Sequence, residues 1–195
     1  SKENYNISTI GTADKSHNFL DHSIRFVQKY QNEKNHNLSM GFEESSYFLN
    51  FKNKNTESTS IDSSSLDQNG YLYSFFLRDF WKIDSKWKFD TGLRFSYFHN
   101  LDRFYFEPRF AIIYKINKEL SLELSYGRHN QFIHRFNSEN NSNYNDNRWI
   151  LSSTKIPTIL SNNYHSGFSW NNNNYSFSTI MYLKILTEFF QFDHS

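Results

Sequence analysis

The chain has 195 residues, enough for one domain of ordinary size, and it contains no cysteine. Disulfides and thiolate metal sites are therefore excluded. The charge is nearly balanced, with 21 Lys and Arg against 20 Asp and Glu. This balance argues against a nucleic-acid partner, because general nucleic-acid binders usually carry a basic excess.

Nine segments in chain order have the composition and pattern of β-strands. The predicted strands are 4–11, 19–31, 36–51, 70–83, 86–99, 103–116, 119–130, 162–171 and 174–189. Aromatic residues make up 19% of the chain, although hydrophobic residues reach only 37%. Phe and Tyr suit strands, and they also suit the aromatic girdles of membrane barrels.

Residues 88–127 show the clearest pattern, an alternation of apolar and polar side chains with a period of two. A strand with this pattern has one apolar and one polar face. The apolar positions are Phe89, Thr91, Leu93, Phe95 and Tyr97; Phe104, Phe106, Pro108, Phe110, Ile112, Tyr114 and Ile116; and Leu120, Leu122, Leu124 and Tyr126. Pro108 predicts a strand edge or a bulge, because proline cannot donate to a ladder.

The connections between the predicted strands differ in length. Those at 31–35, 84–85, 117–118 and 171–173 are short and polar, whereas 12–18, 52–69 and 131–161 are predicted to be long loops. The connection at 100–102 is a short exception. Short turns on one side and long loops on the other are typical of outer-membrane barrels, and they place 58–67 and 137–148 outside the cell.

We therefore predict an all-β fold, an antiparallel transmembrane β-barrel meander that is partial, with about nine strands of a larger barrel. A soluble antiparallel sandwich also alternates, but its strands are typically only about 5–6 residues long. No apolar run of 18 or more residues is present, so no transmembrane helix is expected.

Six segments, in this order and over about half of the chain, resemble strands and strand ends of TonB-dependent outer-membrane receptors. They are LRDFWKI at 77–83, WKFDTGLRF at 87–95, FEPRF at 106–110, LELSYGR at 122–128, WILSSTK at 149–155 and NNYSFS at 173–178. The set is most similar to the importers of nutrients and glycans from Bacteroides-like bacteria. That family tolerates a proline at the strand position of Pro108.

The resemblance implies that residues 1–195 are a fragment of a β-barrel domain, with the plug domain and the signal peptide lying outside them. It implies an outer-membrane receptor and transporter of a Gram-negative bacterium that takes up an oligosaccharide, a peptide or a metal chelate. The implied partners are outer-membrane lipid, the TonB complex acting through the absent plug, and a surface lipoprotein. A soluble all-β binding module and a small porin-like barrel are the alternatives.

Two groups of residues are candidates for contact with other molecules. The first group belongs to the long loop region and carries side chains that could meet a ligand: His129, Gln131, His134, Arg135, Tyr144 and Trp149. The second group is predicted to line the lumen wall: Arg94, Glu107, Arg109 and Glu123. Arg94 is expected opposite or diagonal to Glu107, where opposite charges support a sheet. Plain solvation of these charges is the simpler interpretation.

Nothing in the sequence predicts catalysis, and we expect the protein not to be an enzyme. There is no Gly-rich phosphate loop, nucleophile elbow or HExxH motif. His129 and His134 lack a third ligand at a characteristic spacing, so no metal site is predicted. No cofactor is expected.

Overall fold

The computed structural model describes residues 2–5, 11–31, 35–57, 61–139 and 145–187. Within them the chain forms eleven strands and one short 3-10 helix, His99–Leu101. No helix in these ranges is long and apolar enough to cross a membrane. The strands are β1 (Lys2–Tyr5), β2 (Gly11–Gln31), β3 (His36–Glu57), β4 (Ile61–Lys82), β5 (Trp87–Phe98), β6 (Arg103–Lys115), β7 (Leu120–Gln131), β8 (Ile133–Glu139), β9 (Asn145–Leu151), β10 (Ile159–Asn171) and β11 (Ser176–Thr187).

Nine strands form one antiparallel sheet in which each strand lies beside its neighbour in the chain. The order is β1 to β7, then β10 and β11, and β8 pairs only with β9 in a separate hairpin. Among the described strands, β1 and β11 each have one neighbour in the sheet, so the sheet is open. The predicted antiparallel meander of a partial barrel is confirmed.

The predicted loops at 12–18 and 52–69 are wrong where the structure describes them. Residues 12–18 continue β2, and residues 52–57 and 61–69 belong to β3 and β4, which are each 22 residues long. The Ser, Asn and Asp content of these segments resembles that of loops. Their backbones nevertheless stay paired, Thr12 with Thr56 and Asn55 with Asp62, because pairing with a neighbouring strand outweighs weak intrinsic β-propensity.

Two further boundaries differ from the prediction. The predicted long loop at 131–161 contains the β8–β9 hairpin, which has no apolar alternation of its own. The predicted first strand, 4–11, coincides with the end of β1 and the start of β2, and its middle lies outside the described residues.

Three short turns at one end of the sheet share the same local hydrogen bonding. In each, a side-chain oxygen of Asp84, Asn117 or Asn172 accepts two backbone N–H bonds from the residues two and three positions later, over 2.7–2.9 Å. Asx turns of this kind fix a tight reversal without help from distant residues. The short polar connectors predicted at these positions are confirmed.

The sheet has an outer face of large apolar side chains and an inner face that is mostly polar. Directly paired residues share a face, and Phe89, Leu93 and Phe95 pair with Ile112, Pro108 and Phe106. The same face continues onto β7, where Leu122 and Leu124 pair with β6. The predicted alternation across residues 88–127 is therefore confirmed.

Aromatic rings on the outer face gather near both ends of β5 and β6. Trp87 and Tyr114 lie 4.3 Å apart between ring centroids near the short turns, and Tyr97 and Phe104 lie 4.9 Å apart at the opposite end. Between these two groups the outer face consists of Leu93, Phe95 and their neighbours. The span from Phe89 to Tyr97 is roughly 27 Å along the strand, at about 3.4 Å per residue.

Candidate lumenal binding surface

The inner face is concave at mid-height, where side chains from β2 to β10 surround a hollow of about 770 Å³. Its lining includes six charged residues, and all but one of them are cations: Arg25, Lys29, Arg78, Arg94 and Arg109, together with Asp90. Arg78 donates to Asp90 through Nε over 2.7 Å. The other charges are arranged around Arg94.

Arg94 is the centre of an ion-pair network that extends from β2 to β6. Its guanidinium donates to Glu43 Oε1 over 3.0 Å and to Ser74 Oγ over 2.9 Å, and its Nε lies 3.7 Å from Glu107 Oε2. Arg25 Nε approaches the second oxygen of Glu43 at 3.5 Å. Alternating charges thus run across the inner face from β2 to β6, each carboxylate being matched by at least one guanidinium.

The network is supported from beneath by two fully buried hydroxyl groups. Ser74 and Ser96 pair directly across β4 and β5, with their Oγ atoms 2.9 Å apart. Their exposed fractions are 1% and 0%. Because a buried polar group needs a hydrogen-bond partner, these hydroxyls and the Arg94 side chain must be ordered together.

Glu107 also bridges a split between β6 and β7. The ladder between these strands ends at the pair Arg109 and Gly127. Beyond it, the Glu107 carboxylate, 5% exposed, accepts the Asn130 backbone N–H over 2.5 Å. Pro108 pairs with Leu93 of β5, so its missing donor falls on the β7 side. The interruption of pairing predicted from Pro108 is therefore found on the β7 side. There the Glu107 carboxylate takes the place of a backbone acceptor.

The β8–β9 hairpin packs onto the inner face above this network. Phe132, just before β8, has its ring 4.8 Å from Phe98 and 4.9 Å from Tyr105. Leu151, at the end of β9, is buried in the same cluster, which also includes Leu72. Apolar burial of this kind fixes the hairpin against the wall.

Hydrogen bonds at the end of β9 and just before β10 add to this apolar contact. Gln68 Oε1 accepts the Leu151 N–H over 2.9 Å, and the hydroxyls of Tyr105 and Thr158 lie 3.1 Å apart. Trp149 stacks on Phe19 of β2 with 5.5 Å between ring centroids. The contacts of Phe132, Trp149, Leu151 and Thr158 therefore hold the described part of the segment between β7 and β10 against the inner face.

His134 lies inside the docked hairpin. It is 3% exposed, and its Nε2 lies 2.8 Å from Ser152 Oγ. Burial lowers the pKa of the His134 imidazole, because removal from water disfavours the charged ring.

The structure brings five of the predicted residues around one hollow of about 290 Å³ beneath the hairpin. These residues come from both predicted groups: His129, Gln131, Arg94, Glu107 and Arg109. The predicted position of Arg94 relative to Glu107 is confirmed, since the two residues are a direct cross-strand pair.

The remaining predicted residues lie elsewhere. His134 faces Ser152, Arg135 is exposed on β8, and Trp149 stacks on β2. Glu123 is on the inner face beside Gly167 of β10. Tyr144 lies outside the described residues.

Sequence reasoning missed Glu43, Ser74 and Asn130, which complete the surface. Each has a polar side chain on a strand, but the neighbouring sequence does not distinguish it from a polar residue that is simply solvated. Glu43 is 51 residues from Arg94 in the chain, so only the register of β3, β4 and β5 reveals the contact. Within the described ranges, no three His, Asp or Glu residues are grouped closely enough to hold a metal ion.

Comparison with solved structures defines the class of fold. The ferric enterobactin receptor PfeA from Pseudomonas aeruginosa, in a G324V mutant, superposes with a TM-score of 0.61 at 11% identity, over 90% of this chain and 27% of PfeA. The RagAB peptide importer gives a TM-score of 0.54 at 14% identity, over 92% of this chain and 25% of its own. A further RagAB peptide transporter structure gives 0.56 at 15% identity, over 92% and 25%.

The chain thus has the fold of part of a receptor or importer barrel, and it spans about a quarter of the length of those proteins. The predicted resemblance is confirmed at the level of the fold. No family model and no curated protein matches the sequence.

Proposed function

We propose that this chain is an arc of the barrel wall of a TonB-dependent receptor in the outer membrane of a Gram-negative bacterium. The observation that carries the proposal is the division of one open sheet into two chemically opposite faces. Its outer face presents Phe, Leu and Ile side chains, and its inner face holds an ordered network of ion pairs. A soluble sandwich would instead bury its apolar face against a second sheet.

The outer face has the properties that lipid requires. Exposed apolar side chains cover adjacent strands without interruption, among them Phe75, Leu93, Phe95, Phe106 and Leu124. Tyr97 and Phe104 at one end, and Trp87 and Tyr114 at the other, are placed as the two interfacial girdles of a membrane barrel. Such an area in water would favour aggregation.

The inner face is proposed to line the path by which a large nutrient is imported. In this proposal the network around Arg94 faces a plug domain supplied by the rest of the protein, and the TonB complex acts on that plug. The nutrient is an oligosaccharide, a peptide or a metal chelate. PfeA is a ferric enterobactin receptor and RagAB is a peptide importer, and both substrates fall within these classes.

The side chains around the docked hairpin are proposed to meet the nutrient as it enters. His129 and Gln131 line the hollow beneath the hairpin, and Arg135 and Trp149 lie on the hairpin itself. His134 is proposed to act indirectly, by holding the hairpin through Ser152. A surface lipoprotein is proposed to cover the extracellular side.

Site-directed spin labelling of the full-length protein in lipid vesicles tests the placement in the membrane. Labels at Phe95 and Phe106 on the outer face should be accessible to oxygen and protected from a water-soluble nickel reagent. Labels at Gly92 and Ala111 on the inner face provide the matched control and should show less oxygen accessibility. Protection of the outer labels from both reagents would indicate a second protein layer and contradict the proposal.

A further inference from the structure

One row of inner-face positions crosses β6, β7, β10 and β11, and it contains two cations and a glycine. Arg109 pairs with Gly127, Gly127 with Asn163, and Asn163 with Lys184. Gly127 has no side chain, and it lines the mid-height hollow together with Arg109, His129 and Asn163.

His129 directs a hydrogen-bond donor over this space. An Arg109 terminal nitrogen lies 3.4 Å from His129 Nδ1. Arginine can only donate, so Nδ1 accepts and the ring proton of the neutral imidazole is carried by Nε2. A Cβ atom added to Gly127 would lie 3.2 Å from that Nε2, so the N–H group lies close to Gly127, where even a methyl group would crowd it.

The surroundings are electropositive. The adjoining hollow of about 600 Å³ is lined by Lys184, His165, Tyr182 and Gln131, and no carboxylate is among its described lining residues. The nearest inner-face acid on β6, Glu107, is engaged by Arg94 and by the Asn130 N–H. A concave surface of one sign concentrates the potential and attracts ions of the opposite sign.

We propose that the surface over Gly127 binds an oxyanion, a carboxylate or phosphate group of a soluble ligand that enters the barrel. Arg109 supplies a planar fork of donors that suits either group. His129 Nε2–H supplies a second donor, and Lys184 a second positive charge. This inference rests on the proposed function, because the site needs a lumen that solutes can enter, and it adds the chemical class of the group that is bound.

Calorimetric titration of the purified full-length protein tests the site, with citrate and inorganic phosphate as probes at constant ionic strength. We expect saturable binding that Arg109→Gln weakens by about tenfold or more, as for loss of a charge-assisted hydrogen bond. Lys115→Gln is the matched control, since Lys115 is an inner-face cation on the same strand, paired with Ser121 away from the row. It should change binding by less than about twofold.

Two glycine substitutions distinguish crowding of His129 from a general disturbance of the sheet. Gly127→Ala places a methyl group against His129 and should weaken citrate binding by about tenfold. Gly167→Ala adds a methyl group at ordinary contact distance, 3.5 Å from Glu123 Cβ, and should leave binding unchanged. Heat-modifiable migration on gels would show that both variants fold.

Two results would overturn the inference. One is the absence of saturable binding of either probe, or binding that Arg109→Gln leaves intact. The other is a carbodiimide crosslink that joins Lys184 to a carboxylate of the plug in the ligand-free protein, since the anion would then be the protein's own. Neither result affects the spin-label pattern on the outer face, so a failure here is distinct from failure of the proposed function.

Discussion

Arg94 shows why the inner-face charges differ from ordinary surface charges. Its side chain is 21% exposed, and those of Glu43 and Glu107 are 17% and 6% exposed. Removal of one partner from a pair that is so little exposed to solvent leaves the charge of the other partner uncompensated. The outer partner, Arg25, is 56% exposed and is screened by solvent.

Arg94→Met should therefore destabilise the protein by about 3 kcal/mol, within the range for broken buried pairs. Arg25→Met, which removes the exposed partner of the same carboxylate, should cost less than about 1 kcal/mol. Denaturant unfolding of the full-length protein in vesicles measures both free energies. Equal losses would show that Glu43 and Glu107 are as well solvated as surface residues.

The buried imidazole of His134 predicts a pH dependence for docking of the β8–β9 hairpin. Its pKa is lowered in the docked state, so the undocked hairpin binds a proton more readily. The contribution of neutral His134 to the docking free energy is fully present above the ordinary pKa of about 6.5 and is lost as the pH falls below it, toward the lowered value.

Hydrogen exchange measures this effect. Amides of residues 133–135 should exchange faster at pH 5 than at pH 7.5, after correction for intrinsic rates. His134→Gln keeps a hydrogen-bonding group next to Ser152 but does not titrate, so its docking should not change between the two pH values. An unchanged pH dependence in that variant would assign the effect to another group.

At the scale of single strands and turns, the sequence predicted what depends on local pattern. The alternation at Phe89–Tyr97 and along β6 set both faces, and the Asx residues set the short turns. It did not predict the paired extensions of β2, β3 and β4, because their polar composition is that of loops. It also missed the β8–β9 hairpin, which is held by contacts of Phe132 and Leu151 with strands far away in the chain.

The lipid-facing assignment predicts a strong asymmetry between faces. Leu93→Arg places a charge midway between the two aromatic groups and should destabilise the folded barrel by about 2–4 kcal/mol. Ala111→Arg, on the inner face of the adjacent strand, should have a much smaller effect. Unfolding in vesicles compares the two variants, and similar losses would argue against a lipid environment on the outer face.

The Asx turns predict a chemically selective effect at Asn117. Asn117→Ala removes an acceptor that takes two N–H bonds, each over 2.8 Å, and should cost about 1 kcal/mol. Asn117→Asp keeps the acceptor and should be nearly neutral. Comparison of the two unfolding free energies tests the role of the side-chain oxygen. A loss in the Asp variant as large as in the Ala variant would point to the amide nitrogen instead.

At the scale of the whole molecule, the proposed arc of a barrel wall has two open edges among its described strands. All twelve residues of β11 are exposed, and among the described strands only β10 pairs with it, so its other edge lies open beside apolar side chains. Such an edge is a template for uncontrolled pairing. A polypeptide of residues 1–195 produced alone should therefore aggregate.

The same sequence within the full-length protein should give a detergent-stable, heat-modifiable species. Size-exclusion chromatography and gel migration distinguish the two outcomes. A monodisperse, water-soluble preparation of residues 1–195 would favour the soluble binding module over the barrel arc.

The split between β6 and β7 has a mechanical consequence. In a closed barrel the ladders act together as a hoop, and any outward load on the wall is shared by many backbone bonds. Beyond Arg109 and Gly127 the backbone ladder between β6 and β7 stops, and side-chain contacts such as those of Glu107 and Phe132 take its place. The circumference should therefore widen first at this seam, beside the Arg109 and His129 side chains.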